Sequence, residues 1–224
     1  NRIYIACSFD NLGKAYHSLG EDKLAIEYHQ QSLAIREEIR DRYGMAESLN
    51  DLGNVYRSLG EYKQAIQYYQ QSLVIFEKVG NRICIAISLI NLGTAYYSTG
   101  YYKQAIEYYQ QSLMIFQEIG NRHEIARTLQ KLAQAYHRCG RVKEGFAAAY
   151  QASQILQELG LPLDAMPYPQ WLKSTIKFAQ RGKLHLVLCF MAGLIAFPFA
   201  LLAFTTLILW RIIRASIKRS PQHQ

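Results

Sequence analysis

The 224-residue chain predicts an all-α architecture, a stack of antiparallel helix pairs followed by one apolar helix, and three observations carry that expectation. A shift of 40 residues aligns the first 160 with themselves, and an internal repeat outranks any other fold signal. Apolar residues on both sides of Gly20, Gly60, Gly100 and Gly140 recur at three- and four-residue steps, the period of a helix with one buried face. Residues 184–210 contain no Asp, Glu, Lys or Arg.

The blocks are 1–40, 41–80, 81–120 and 121–160. The second contains SLNDLGNVYRSLGEYKQAIQYYQQSLVIFEKVG and the third SLINLGTAYYSTGYYKQAIEYYQQSLMIFQEIG. The first is a close copy, SFDNLGKAYHSLGEDKLAIEYHQQSLAIREEIR, and the fourth a looser one, TLQKLAQAYHRCGRVKEGFAAAYQASQILQELG. In block two Ala46, Leu49, Leu52, Gly53 and Tyr56 mark the buried face of a first helix. Tyr62, Ala65, Ile66, Tyr69, Leu73 and Phe76 mark that of a second. Gly53 and Ala65 remove bulk where two helix axes must approach to about 8–10 Å.

The pattern L-G-x-x-Y, then G-x-Y, then A with Y four residues on, is met by Leu52, Gly53, Tyr56, Gly60, Tyr62, Ala65 and Tyr69. It is met again by Leu92, Gly93, Tyr96, Gly100, Tyr102, Ala105 and Tyr109. In these residues the chain resembles the tetratricopeptide repeat family. Its period of 40 rather than the usual 34 is similar to the longer-helix repeats of the Pins/LGN and kinesin light chain type. The resemblance implies a right-handed superhelical solenoid with a concave inner face, each unit burying its apolar stripe against its neighbours. Block four departs from the pattern with Ala133, Gly145 and Ala149, as a terminal repeat does. Block one is not atypical and opens on Asn1 without an initiator Met, so more repeats or another domain are expected upstream.

Positions identical between blocks are explained by packing, so contact positions are sought among those that vary. On the first helix of each block one such stripe lies about 120° round from the core face, at ~100° per residue. It comprises Cys7, Asp10, Lys14 and His17; Glu47, Asn50, Asn54 and Arg57; Ile87, Ile90, Thr94 and Tyr97; and Arg127, Gln130, Gln134 and His137. The resemblance implies that this stripe lines a groove for partner peptides. Its sequence suits an apolar anchor near Tyr97 flanked by acidic or backbone groups. Asn54 offers an amide to peptide backbone and Arg57 a guanidinium to a carboxylate. The family's chaperone-binding form clamps a terminal carboxylate with Lys, Asn and Arg. Asp10 and Ile90 stand where two of its lysines are expected, so that specificity is not carried over. The alternative is a merely solvated helix face.

Other chemistries lack support in the sequence. The six histidines show no metal-ligand spacing, so neither metal nor cofactor is expected. Cys7, Cys84, Cys139 and Cys189 form no CxxC pair, and a reducing compartment is the simplest reading. Residues 1–160 hold 17 basic and 16 acidic residues, leaving no electrostatic footprint for nucleic acid. No phosphate loop or nucleophile elbow appears, so no enzymatic activity and no small-molecule substrate are expected.

The basic excess lies beyond Gly160, where eight Lys and Arg face only Asp164. Pro162, Pro167 and Pro169 end the helical stacking and open a linker. Over 170–183, Trp171, Leu172, Thr175, Ile176 and Ala179 share one face, with Lys173, Lys177 and Arg181 on another. That suits a helix lying in a headgroup layer or, equally, a cap over the open end of the stack. Residues 184–210 are expected to be a transmembrane helix, with Trp210 at the interface and Arg211 and Arg214 on the far flank, within a basic tail 211–224. Cations on both flanks leave the topology tied, and a re-entrant hairpin near Gly193 or Pro198 is the alternative to a single span. The expectation is a membrane-anchored interaction scaffold with a cytoplasmic solenoid. Two alternatives remain: the regulatory and anchoring end of a larger enzyme or signalling protein, and self-association through the solenoid ends or the membrane helix.

Overall fold

In a computed structural model of the chain, the structure describes residues 2–161 together with 173, 174, 176 and 177. The chain divides into two units, Asn1–Met166 and Pro167–Gln224.

The first unit is a run of eight helices: α1 (Arg2–Ser18), α2 (Asp22–Glu38), α3 (Arg42–Ser58), α4 (Tyr62–Val79), α5 (Arg82–Ser98), α6 (Tyr102–Ile119), α7 (Arg122–Arg138) and α8 (Val142–Glu158). A backbone in the left-handed region recurs every twenty residues and separates them. Gly20, Gly60, Gly80, Gly100, Gly120, Gly140 and Gly160 take it with φ between 77° and 84°, and Arg40 takes it at 57°. Glycine carries no Cβ to clash there. Entry to α3, α5 and α7 is fixed by side-chain caps. Asp41 accepts from the Gly44 amide, Asn81 from that of Cys84 and Asn121 from that of Glu124, satisfying donors that a helix start leaves open.

Each helix packs on the next in sequence, and α1 also touches α3, α3 touches α5 and α5 touches α7. The odd-numbered helices are therefore the more closely spaced, inner layer. Within a block the pair is set by Gly53 and Gly93, each lying against a tyrosine ring from the second helix, Tyr69 and Tyr109. Both rings are buried, and Tyr69 clusters with Ala65, Leu92 and Ala95 in the middle of the stack. Ser72 and Ser112 donate at 2.8 and 2.9 Å to the carbonyls of Ala46 and Ala86 and tie second helix to first. A second ring ladder repeats alongside, with Tyr16 on Tyr28, Tyr56 on Tyr68 and Tyr96 on Tyr108, centroids 5.2–5.4 Å apart. In block four the partner position is Ala148. Tyr136 instead receives the Arg141 guanidinium at 4.6 Å, a cation–π contact. Block four also pairs Ala133 with Ala149, trading ring and glycine for two methyl groups.

In the second unit the described residues are helical, with Lys173 and Ile176 buried and Ser174 and Lys177 exposed. This corrects the placement of Lys173 on a headgroup face, because residues three apart share a helix face and its stem is buried with Ile176. Among the described residues no helix is long and apolar enough to cross a membrane. The expected segment 184–210 and the interface residues Trp171, Arg181, Trp210, Arg211 and Arg214 lie outside the described residues.

Candidate functional site

The expected stripe divides into buried and accessible positions. Asp10 is 4% exposed and Ile90 1%, which corrects their assignment as groove contacts. The physical reason is their position on the helix: they sit on the edge of the stripe that the next odd-numbered helix covers. Lys14, Arg127 and Gln134 are exposed, while His17, Asn50, Asn54, Arg57, Thr94, Tyr97 and Gln130 are half-buried.

The sequence reading missed the neighbouring positions Asp51, Asn91 and Lys131. Each reaches back to the preceding block: Lys14 pairs with Asp51 at 3.1 Å, Asn91 donates to Asn50 at 2.9 Å, and Lys131 donates to Thr94 Oγ1 at 3.3 Å. These positions also vary from block to block. The rule that selected the stripe would have found them had it covered one more residue of the turn.

Two electrostatic environments result. Over α3, α5 and α7 the floor is a chain of hydrogen bonds. Tyr69 donates to Asn54 at 2.9 Å and receives Arg57 Nε at 3.3 Å, and Tyr109 donates to Thr94 at 3.2 Å. Burial pushes the Tyr109 hydroxyl up to about 12, so it stays a donor at neutral pH. Lys131 is held below its usual range, first by loss of solvent and then by the Arg127 and Arg57 charges. The carboxylate that opposes them is Glu124, which Arg127 meets at 3.3 Å. Lys131 thus lies between two like charges and one carboxylate, beside a floor of amides and hydroxyls.

At α1–α3 the sign reverses. Asp10 binds Arg36 at 2.7 Å and accepts from Ser48 at 3.0 Å, with His29 Nδ1 at 3.2 Å. Burial alone raises its carboxyl, but hydrogen bonds from His29, Ser32 and Ser48 and the Arg36 charge outweigh that and hold it below its usual value. Arg36 also meets Asp41 at 3.0 Å and Glu47 at 3.9 Å. Burial leaves Glu47 and Asp51 above the usual carboxylate range, with the Asp51 charge adding to it at Glu47 and the Asp10 charge at Asp51. His29 stands where Tyr69 and Tyr109 stand in the next two blocks, an exchange visible on aligning them. It brings donor atoms of Asp10, His29 and Asp51 within 4.8 Å of one another, the kind of set that holds a metal ion. Arg36 and Lys14 already occupy the two carboxylates, so fixed cations do here what an added ion does elsewhere.

The outer rim is aromatic. Tyr97 packs edge-on against Tyr102 at 5.4 Å, and Arg138 bonds to Tyr97. His17 caps the first turn region by meeting Asp22 at 2.6 Å.

Fold and face together define a helical-repeat protein-interaction scaffold. The chain belongs to the tetratricopeptide repeat family, whose model matches residues 4–78 and again 44–118. A comparison with curated protein sequences gives no match. Among solved structures it is similar to BtubC (BKLC) from P. vanneervenii at 21% identity and TM-score 0.67, over 76% of this chain and 69% of that one. It is similar to aspartyl phosphate phosphatase F from Bacillus subtilis at 17% identity and TM-score 0.69, over 80% of this chain and 45% of the phosphatase. Nearly identical TPR-like repeats of a candidate kinesin light chain from Podosopora anserina match at 20% identity and TM-score 0.63, over 98% and 99%. At these identities the likeness is one of fold.

Proposed function

We propose that the inner face of α3, α5 and α7 binds an extended, acidic segment of a partner protein. The observation that carries this is the half-buried Lys131 ammonium, beside the Arg127 and Arg57 charges and with Glu124 as its opposing carboxylate. Mutual repulsion and lost solvation make the empty cluster unfavourable, and carboxylates arriving from a ligand relieve both costs. Asn54, Thr94 and Gln130 meet peptide amides, and Tyr97 offers an aromatic wall to an apolar side chain. The mechanism is binding, with no bond made or broken.

We infer further that residues 184–210 anchor the solenoid in a bilayer on its cytoplasmic side, because 27 residues without a formal charge lie between basic flanks. Anchoring confines the inner face to the membrane plane and raises the effective concentration of a membrane-borne partner. Carbonate extraction tests this: the full chain stays in the membrane pellet, and release of the intact chain into the supernatant refutes it.

The binding test is fluorescence anisotropy of the full chain in detergent with a labelled Glu-rich peptide and its Gln-substituted counterpart. The Glu peptide binds, the Gln peptide does not, and binding weakens as salt rises. Equal affinity for the two peptides, or full binding by an Arg57→Gln/Lys131→Met variant of unchanged helicity, refutes the assignment.

A further inference from the structure

We propose that the open side of α1 is the receiving half of a repeat-to-repeat joint, and that its occupant is a partner protein presenting the second helix of a further tetratricopeptide unit, of the kind that α4 supplies to α5. This is independent of the acidic segment assigned to the inner face.

The joint between α4 and α5 shows what such a side receives. Ile85, Ser88, Leu92 and Ala95 recur at three- and four-residue steps along one side of α5. Ser88, Leu92 and Ala95 are fully buried. Leu92 and Ala95 cluster with Tyr69 of α4, and Ile66 and Leu73 of α4 pack alongside. α1 carries the same four side chains at the same register, as Ile5, Ser8, Leu12 and Ala15. There all four are exposed, Ile5 by 49% and Leu12 by 41%. Identical residues are thus closed over in one block and bare in another, and the difference is the even-numbered helix that precedes α5 in the stack. The bare stripe carries no charge, and the cations nearest to it, Arg2 and Lys14, are paired with Glu38 and Asp51. A covering helix therefore removes apolar surface from water without stranding an ion.

A polar position points to the same occupant. Asn11 aligns with Asp51, Asn91 and Lys131, and each of those bonds to the first helix of the block before it, through Lys14, Asn50 and Thr94. Asn11 is exposed, so its amide is placed to meet the first helix of the incoming unit.

The chain does not hold the complementary stripe at its other end. Ile66, Tyr69 and Leu73 of α4 are replaced by Phe146, Ala149 and Ser153 in α8, and Ala149 and Ser153 are buried. A second copy docking through α8 thus lacks the ring and the leucine that Leu92 and Ala95 receive. The occupant is a different chain, recognised by an Ile-x-x-Tyr-x-x-x-Leu stripe on a helix.

The probe is a synthetic helix of residues 61–80, stapled through Gln67 and Gln71, which are exposed in the fold, and carrying photo-leucine in place of Leu73. Fluorescence anisotropy with the full chain in detergent is expected to show saturable binding, and illumination is expected to crosslink the probe to residues 2–18. Leu12→Arg, at a position exposed enough to keep the helicity unchanged, weakens binding by about tenfold or more, and so does Tyr69→Ala/Leu73→Ala in the probe. An absence of binding, equal binding by the Leu12→Arg chain, or crosslinks to residues 82–98, where the probe would merely have displaced α4, overturns the proposal. Sedimentation supplies the remaining outcome: a dimer of the chain that Leu12→Arg dissociates makes a second copy the occupant and also overturns it.

Discussion

Replacing Gly53 with Ala tests whether the tyrosine rings set the spacing of each helix pair. A Cβ at Gly53 would lie 2.5 and 2.6 Å from two ring carbons of Tyr69, against ordinary carbon contacts of about 3.5–4.0 Å, so the ring must retreat by roughly 1 Å. It has nowhere to go. Tyr69 is fully buried and its hydroxyl is tied to Asn54 and Arg57. Overpacking of this kind costs about 1–3 kcal/mol, while exchanging a helix-interior glycine for alanine returns about 1 kcal/mol of propensity. The single variant is therefore expected to lose up to about 2 kcal/mol, a fall of several degrees in the thermal midpoint at roughly 2–4 °C per kcal/mol. In a Tyr69→Ala background, itself destabilised by about 3–5 kcal/mol, the obstacle is gone and Gly53→Ala becomes stabilising. Block four already carries that combination as Ala133 and Ala149. The assay is thermal unfolding of the full chain in detergent, followed by far-ultraviolet circular dichroism, for the four members of the cycle. An effect of Gly53→Ala with the same sign in both backgrounds refutes the reasoning.

Arg40→Gly is expected to stabilise the chain by about 0.5–1 kcal/mol in the same assay, because it relieves a left-handed backbone that glycine adopts freely, less glycine's own entropy loss. Asp10→Asn is expected to cost about 1.5–3 kcal/mol, since it removes the charge from a buried hydrogen-bonded pair while Asp41 at 3.0 Å still serves the Arg36 guanidinium. The carboxyl of Asp10 is depressed in the fold, so its stabilisation is fully present above its ordinary value of 3.8 and is lost as pH falls through the lower folded value. The midpoint of the Asn variant should accordingly fall less steeply in acid than that of the parent. Lys131→Met should raise stability at neutral pH by roughly 0.5–2 kcal/mol while abolishing capture of an acidic peptide, the signature of a charge kept for binding.

The helix pairs were legible because periodicity, the twenty-residue glycine beat and the capping residues all describe local backbone, which sequence states directly. Asp10 and Ile90 show where that ends. A helical wheel places them beside Asn54 and Arg57, but their burial depends on how closely the next odd-numbered helix approaches, which is a property of the stack. The role of Arg36 was hidden for the same reason. It sits on α2 at a position occupied by Phe76 and Phe116 in the next blocks, and its partner Asp10 lies 26 residues earlier. Lys131 was overlooked although it varies between blocks, because its link to Thr94 spans 37 residues.

The near-identity of the blocks poses a problem of address during folding. A chain that writes almost the same helix pair three times offers α4 and α6 nearly interchangeable docking faces, and α3 and α5 likewise. Apolar stripes cannot tell these neighbours apart, because Leu52 and Leu92, or Phe76 and Phe116, present the same shape. Among the described residues the Asp10, Arg36 and Ser48 cluster occurs at one interface only, joining α1, α2 and α3. Any mispairing there leaves a carboxylate or a guanidinium buried without its counter-charge, a penalty of several kcal/mol that correct docking avoids. The first two blocks therefore act as a key cut differently from the next two, fixing which helices meet across α1, α2 and α3.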